Sequence, residues 1–258
     1  MSFKIALIQY NIVWEEANAN LNFLSQLLQE IEDDVDLIVL PEMFATGFSM
    51  DTKRIAQEMD GKVVDWLKLM AKNTRAACIG TQAIRENGKV FNRALFVTPE
   101  QQISCYDKRH LFSPGNEHVN YTQGRQRTVI HYKGLRILPQ ICYDLRFPVW
   151  SRNRNDYDLA IYMANWPAVR QHVWNTLIKA RAIENQCYVC AVNRVGEGGG
   201  IQYSGESQMI DFKGLGQLNM AQRNNRIAYS NIDIVSLTSF REKFPSHSDA
   251  DDFELLTD

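Results

Sequence analysis

Apolar residues along this chain recur at two periods, one of strands and one of helices. Residues 3–9, FKIALIQ, read as a strand. Within 15–32, Leu21, Leu24, Leu28 and Ile31 fall at helical spacing and predict an amphipathic helix. DLIVLPE, 36–42, is a short strand, rich in β-branched residues, of the kind buried on both faces. Val63, Trp66 and Met70 then predict a second helix across 62–73. The middle of the chain gives three strands separated by ENGK and TPEQ, and Asn87-Gly88 suits a hairpin turn because both residues tolerate positive φ. A hairpin around HYKGLRI, strands at 135–141 and 157–165, a helix at 169–185, and strands at 187–195, 205–211 and 227–233 complete the pattern, with DFKG closing one hairpin. Helices interleaved with both crossover strands and hairpins predict an α/β fold with mixed sheets covered by helices. No repeat or low-complexity linker divides the chain, so one domain over 1–258 is the simplest account. The stretch from about 236, ending in SDADDFELLTD, reads as a C-terminal extension, either solvated or packed on a partner subunit.

Composition narrows the function classes. With 258 residues, 45% hydrophobic, and a net charge of −2, the chain has no basic field for nucleic acid or an anionic membrane. The short cluster DKRH at 107–110 is local chemistry or solvated surface. The N-terminus is already strand-like, and no apolar run approaches the roughly 20 residues needed to span a bilayer. Five cysteines, widely spaced, fit reduced thiols in a cytoplasm better than a disulfide framework. Cys187 and Cys190 match a metal or redox half-motif, but on a strand residues three apart point to opposite faces. They are expected to form neither a disulfide nor a metal site.

Chemistry collects where the strands of an open α/β sheet end. DLIVLPE delivers Glu42, ISCYDK delivers Lys108, and RILPQIC delivers Cys142. Each has a plainer reading: a capping carboxylate, a solvated ammonium, a buried core thiol. Together they make chemical sense. A free thiol is only a few per cent thiolate at neutral pH. A carboxylate can take its proton during attack, and an ammonium favours both the thiolate and the later oxyanion. The Tyr143 N–H, first after Cys142, offers a second oxyanion donor. Such a site suits acyl transfer from an amide or nitrile.

On these blocks the sequence resembles the nitrilase superfamily of carbon–nitrogen hydrolases, and within it the omega-amidase branch of the YafV type. The blocks are LIVLPEMFATGFS, YDKRHLF, ICYDLRFPVWSR, NWP at 165–167, KARAIENQCYV and GESQMIDFKG. The resemblance implies a four-layer α-β-β-α sandwich and a Glu-Lys-Cys triad without metal or organic cofactor. It further implies a small amide substrate and homo-oligomers, commonly dimers. Glu42 then matches the general base, Lys108 the oxyanion stabiliser and Cys142 the nucleophile, with Glu117 as a second glutamate beside the lysine. Arg181 and Glu184 brace the site. Phe44 and Trp166 become apolar pocket walls, and Arg146 and Arg170 the cations available for a distal carboxylate. Either arginine equally suits a structural salt bridge. Pro139, where a glycine is expected nearby, leaves its strand bulged or locally unpaired.

Three alternatives stay open. Other branches of the superfamily hydrolyse nitriles, carbamoyl compounds or aliphatic amides, although nitrilases follow the nucleophile with Trp-Glu where this chain has Tyr143-Asp144. A Cys-His hydrolase using His110 is possible if the strand bearing Lys108 continues, which would put both residues on one side. A non-catalytic binding member of the fold is the third.

Overall fold

The computed structural model describes residues 2–220 and 226–256. Strands β1 (Ser2–Ile8), β2 (Leu37–Val39), β3 (Ala77–Glu86), β4 (Lys89–Val97) and β5 (Ile103–Asp107) come first. They are followed by β6 (Ile130–Tyr132), β7 (Leu135–Ile141), β8 (Leu159–Ala164) and β9 (Tyr188–Asn193). A small hairpin, β10 (Val195–Gly198) and β11 (Ile201–Ser204), precedes β12 (Gln208–Ile210), β13 (Gly216–Asn219) and β14 (Ile227–Asp233). Two six-stranded sheets result, ordered β14-β1-β2-β3-β4-β5 and β13-β12-β9-β8-β7-β6. In each sheet three neighbouring strands run parallel, β1-β2-β3 and β7-β8-β9, and the remaining pairs are antiparallel.

Strand alternation builds the layers. Ile5, Leu7, Leu37 and Val39 point toward Ile137, Ile161 and Val192, forming a core between the two sheets. The alternate residues Ala6, Ile8 and Ile38 pack under the helices Ala17–Leu27 and Lys62–Thr74. On the other side, Ala160, Tyr162 and Val189 pack under the helix Gln171–Asn185. This is the four-layer α-β-β-α sandwich, and it explains why the strands read as nearly continuous apolar runs. Cys187 and Cys190 fall in different layers, the first under the helix and the second between the sheets. Among the described residues, no helix is long and apolar enough to cross a membrane.

The expected turns form for the expected reason: Asn87 and Gly88 take φ of 50° and 73°, and Lys133 and Gly134 take 46° and 79°. Strand 7 is not bulged at Pro139, whose register with Ile161 of β8 is regular. On the opposite edge β6 ends where Ile130 meets Ile137, so the missing proline donor falls where there is no strand to receive it. The segment from 236 starts inside a helix, Ile234–Lys243, with Leu237 and Arg241 buried and Arg241 donating to Asp158 Oδ1 at 2.8 Å.

One wall residue is corrected by this layering. Phe44, expected to face a ligand pocket, lies in the outer core instead, 5.7 Å from the Trp66 ring. The chain turns sharply after β2, with Met43 at φ 47°, and this sends Phe44 back beneath the helices. It fits there because β3 carries Gly80 at the contact: a Cβ would stand 2.6 Å from Phe44 Cδ1 and 3.0 Å from Leu40 Cβ. Gly80→Ala should therefore cost ~1–3 kcal/mol, the usual scale of overpacking a core. Urea unfolding reads this as a lower midpoint, and an unshifted midpoint would mean that the outer layer has room to spare.

Candidate active site

The first sheet contributes the charges. After β2 the chain is pinned to β3, because Met43 N donates to Thr81 Oγ1 at 2.8 Å and Phe44 N to Thr81 O at 3.3 Å. Glu42 is held just before this clasp and is fully buried. Its Oε1 accepts from Lys108 Nζ at 3.0 Å and from Asn92 Nδ2 at 2.9 Å, while Oε2 accepts from Asn165 N at 2.9 Å. Lys108, one residue beyond β5, reaches Glu117 Oε1 and Oε2 at 3.0 and 2.9 Å. Asn92 on β4 also donates to Glu117 at 3.2 Å and accepts from Thr81 Oγ1 at 2.8 Å. Thus Glu42, Lys108 and Glu117, far apart in sequence, share one buried network.

Burial alone would lower the Lys108 ammonium, yet the charges of Glu117 and Glu42 outweigh it and hold the group above its ordinary range. Burial pushes the Glu117 carboxyl up, against the pull of Lys108. The Cys142 thiol is pushed well above its usual value, first by burial and next by the Glu42 charge, with Lys108 opposing. The Glu42 charge lies close to the sulfur, and a like charge disfavours the thiolate. The resting sulfur is therefore a protonated thiol beside a carboxylate.

The second sheet contributes the sulfur. At the end of β7 the backbone enters the left-handed region, with Cys142 at φ 44°, and opens the tight turn Cys142–Arg146. A non-glycine residue holds that conformation only when its surroundings over-determine it. Asp144, fully buried, accepts from Ile141 N at 3.0 Å, and Arg181 Nη2 donates to Leu145 O at 2.7 Å. Arg181 is itself held by Glu184 at 2.8 Å. Cys142 Sγ lies 3.9 Å from Asn165 O, and Asn165 Nδ2 donates to Glu42 O at 2.6 Å. Asn165 thus ties the carboxylate of one sheet to the sulfur of the other.

Cys142 and Lys108 open onto a cavity of about 320 Å³. Tyr143, Arg146, Trp166 and Arg170 line it from the second sheet, as expected of wall and binding residues. Phe48 and Met50 supply the wall anticipated from Phe44, with Lys108 Nζ 4.8 Å above the Phe48 ring. Ile201 and Tyr203 on the β10–β11 hairpin, together with Trp14, close the far side. The Arg146 guanidinium sits 5.3 Å over Trp166, and that of Arg170 5.4 Å over Phe112. Among the described residues neither guanidinium forms a salt bridge with a carboxylate, so the structural ion pair considered for Arg146 is not made.

His110 does not join this site. The strand stops at Asp107, and the His110 Nδ1 instead meets Asp144 Oδ1 at 2.8 Å while its ring stacks on Phe147 at 3.9 Å. The pairing that a Cys-His hydrolase needs is absent among the described contacts of Cys142.

A family model described as Carbon-nitrogen hydrolase matches residues 4–242. The chain belongs to the carbon–nitrogen hydrolase family. It is 45% identical to the omega-amidase YafV of Yersinia enterocolitica, with 99% of each chain covered. It is 31% identical to the 2-oxoglutaramate amidase of Bacillus subtilis, covering 96% of this chain and 98% of that one. Among solved structures it is similar to a CN-hydrolase superfamily protein from Xanthomonas campestris with an arsenic adduct in its active site. That match has a TM-score of 0.96 at 41% identity and covers 99% of both chains.

Two polar residues of this carbon–nitrogen hydrolase site escape a reading of the sequence. Asn92 sits inside the strand VFNRALFV, and its buried amide is the only sign of its role; Asn165 lies in NWP but gives no hint that its backbone and side chain both grip Glu42. The electrostatics generate a test. Because the Glu42 charge helps to hold the Cys142 thiol up, Glu42→Gln should bring its titration down and leave more thiolate at a given pH. Alkylation of Cys142 by iodoacetamide at about pH 8, near an ordinary thiol's range, should become faster. An unchanged pH profile of alkylation would show that Glu42 does not act on the sulfur.

Proposed function

We propose that this carbon–nitrogen hydrolase is an omega-amidase that converts the terminal amide of a short dicarboxylate monoamide, such as 2-oxoglutaramate, to the acid and ammonia. The observation that carries this reading is the pair of half-buried guanidiniums, Arg146 and Arg170, without carboxylate partners among the described residues, in a mostly aromatic and aliphatic cavity that opens on Cys142 and Lys108. A cation in such a place suits an anionic end of a substrate, and guanidinium binds carboxylate bidentately. Glu42 and Glu117 are both committed to Lys108, and among the described residues no Asp or Glu lines the cavity to receive the ammonium of an amino-acid amide. A 2-oxo acid amide meets no such penalty. The names of the similar proteins, omega-amidase and 2-oxoglutaramate amidase, support the same class.

The chemistry follows from the charge balance. Glu42 accepts the thiol proton as Cys142 attacks the amide carbon, and the oxyanion is received by the Lys108 ammonium and the Tyr143 N–H. The tetrahedral adduct collapses as Glu42 returns the proton to the departing nitrogen, which leaves as ammonia and leaves a thioester on Cys142. Glu42 then takes a proton from water, whose oxygen attacks the thioester, and the thiol is reprotonated as the acid departs. Two moderate barriers replace one high one. Glu117 keeps Lys108 charged and in place. The reading includes a single hydrolase domain acting as a homodimer in a reducing cytoplasm, consistent with five free cysteines; light scattering on the purified protein checks the dimer.

Cys142→Ala should abolish ammonia release while preserving the fold, and mass spectrometry of wild type mixed with substrate should find an acyl adduct on Cys142. Glu42→Gln should lower kcat by about 10²–10⁴, the span of general-base catalysis, even as alkylation of the sulfur quickens. For specificity, Arg170→Met and Arg146→Met should each reduce kcat/KM on acidic amides. The loss expected is roughly tenfold to a hundredfold, from ~1.5–3 kcal/mol per charge-assisted bond. Neutral aliphatic amides should be spared. Equal losses on both substrate kinds would make the arginines structural, and a wild-type preference for nitriles or carbamoyl compounds would remove the omega-amidase assignment.

A further inference from the structure

The turn that carries Cys142 and the strand end that carries Lys108 belong to different sheets, and one side chain joins them. Asp144 Oδ2 accepts from Ile141 N at 3.0 Å and from Tyr106 Oη at 2.8 Å; Oδ1 accepts from His110 N at 3.0 Å and meets His110 Nδ1 at 2.8 Å. Ile141 directly precedes the nucleophile, while Tyr106 and His110 flank Lys108 at a distance of two residues on either side. The Tyr106 hydroxyl accepts in turn from Trp150 Nε1 at 3.0 Å, and Arg109 N approaches it at 3.3 Å. The His110 ring is steadied by stacking flat on Phe147, with 7° between the planes, and by the edge of Trp150. Every acceptor position of a fully buried carboxylate is thus spent on fixing the sulfur's turn against the ammonium's strand.

We propose that Asp144, bridged by His110 and Tyr106, is a positioning residue that holds Cys142 in its left-handed turn at the correct reach from Lys108. Asp144 touches no reacting atom. It acts through the Ile141 peptide, whose N–H it fixes, and so through the φ of the next residue. The left-handed backbone at Cys142 is a conformation that relaxes unless it is held. An amide in place of the carboxylate would turn an NH₂ toward two of the four partners, so either Ile141 N or His110 N would lose its acceptor and the tie between turn and strand would loosen. A displacement of about an ångström at a nucleophile costs on the order of a hundredfold in rate.

The inference rests on the reading of Cys142 as nucleophile, so its test uses a reaction of the thiol that needs no amide substrate. Asp144→Asn should lower kcat about a hundredfold with KM within about twofold. It should also slow alkylation of Cys142 by iodoacetamide, while far-ultraviolet circular dichroism stays native. His110→Leu removes the side-chain donor and should lower kcat about tenfold; His110→Asn restores an N–H at the position of Nδ1 and should recover most of that loss. If Asp144→Asn does not fold, the two His110 variants decide the matter alone. A folded Asp144→Asn enzyme with native kcat and native alkylation would overturn the proposal. So would a loss confined to KM, or equal activities of His110→Leu and His110→Asn. Loss of turnover on the amides with unchanged alkylation would count against Asp144 as a positioner and leave the nucleophile assignment intact.

Discussion

The buried ammonium of Lys108, gripped by Glu42 and Glu117 at 2.9–3.0 Å, is the interaction to which the rest of the molecule is fitted. Three charges out of water are costly, and they are tolerated only when geometry is good and the remaining lone pairs find donors. Here they do. Asn92 bridges both carboxylates, Asn165 N occupies the remaining oxygen of Glu42, and Phe112 N donates to Glu117. The consequence is mechanical as well as electrostatic. Strands 2, 4 and 5 of one sheet must hold their register to keep this network whole, and the second sheet is drawn into it through Asn165. A core of interdigitating aliphatic residues between the sheets supplies the bulk of the burial energy but little direction. The charge network supplies the direction.

The sheets divide the work. The first holds the buried ammonium and its carboxylate partners, and the second presents the thiol on a strained turn. Their separation permits an arrangement that a single loop would struggle to hold: a thiol within the field of the Glu42 carboxylate. A thiol with a depressed pKa would be nucleophilic at rest and exposed to oxidation. This one is pushed the other way, by burial and by Glu42, so it rests as the less reactive thiol. In that sense the site is quiet until occupied, and the carboxylate that makes it quiet is the group suited to activate it.

How much of this was legible in the sequence depended on whether a residue's role was local. Strand alternation, the two-residue turns at Asn87-Gly88 and Lys133-Gly134, and the opposite-facing Cys187 and Cys190 are consequences of backbone period and positive φ, and they follow from the string of letters. Glu42, Lys108 and Cys142 stand at strand ends, where polar residues interrupt apolar runs, and that interruption is visible too. Roles set by the path of a loop were not. Phe44 and Phe48 are four residues apart in one loop, and the letters do not show that the first turns into the outer core while the second lines the cavity. His110 was placed beside Lys108 on the assumption that the strand continued; the strand ends at Asp107, and the ring turns to Asp144. The hairpin of β10 and β11 was hidden in VGEGGGIQYS, where glycines suppress every apolar period yet allow the close approach to Trp14 that walls the cavity.

The cavity itself sets a last constraint on what can bind. Its walls are mostly aromatic and aliphatic, so charges within it interact across a medium far less screening than water. Arg146 and Arg170 line it with aromatic rings beneath them, and Lys108 and Cys142 line it too, whereas Glu42 and Glu117 are fully buried and do not. A ligand with a carboxylate at one end and a neutral amide at the other is aligned by that field with its amide toward the sulfur. Reversed, it would leave two guanidiniums without a counter-ion. On the amidase reading, orientation is therefore set by attraction at the arginines before any hydrogen bond to the reacting carbonyl is made. A neutral amide does not feel that attraction. Its weaker handling by such a site would follow from the charges alone, without any difference in the fit of the amide group.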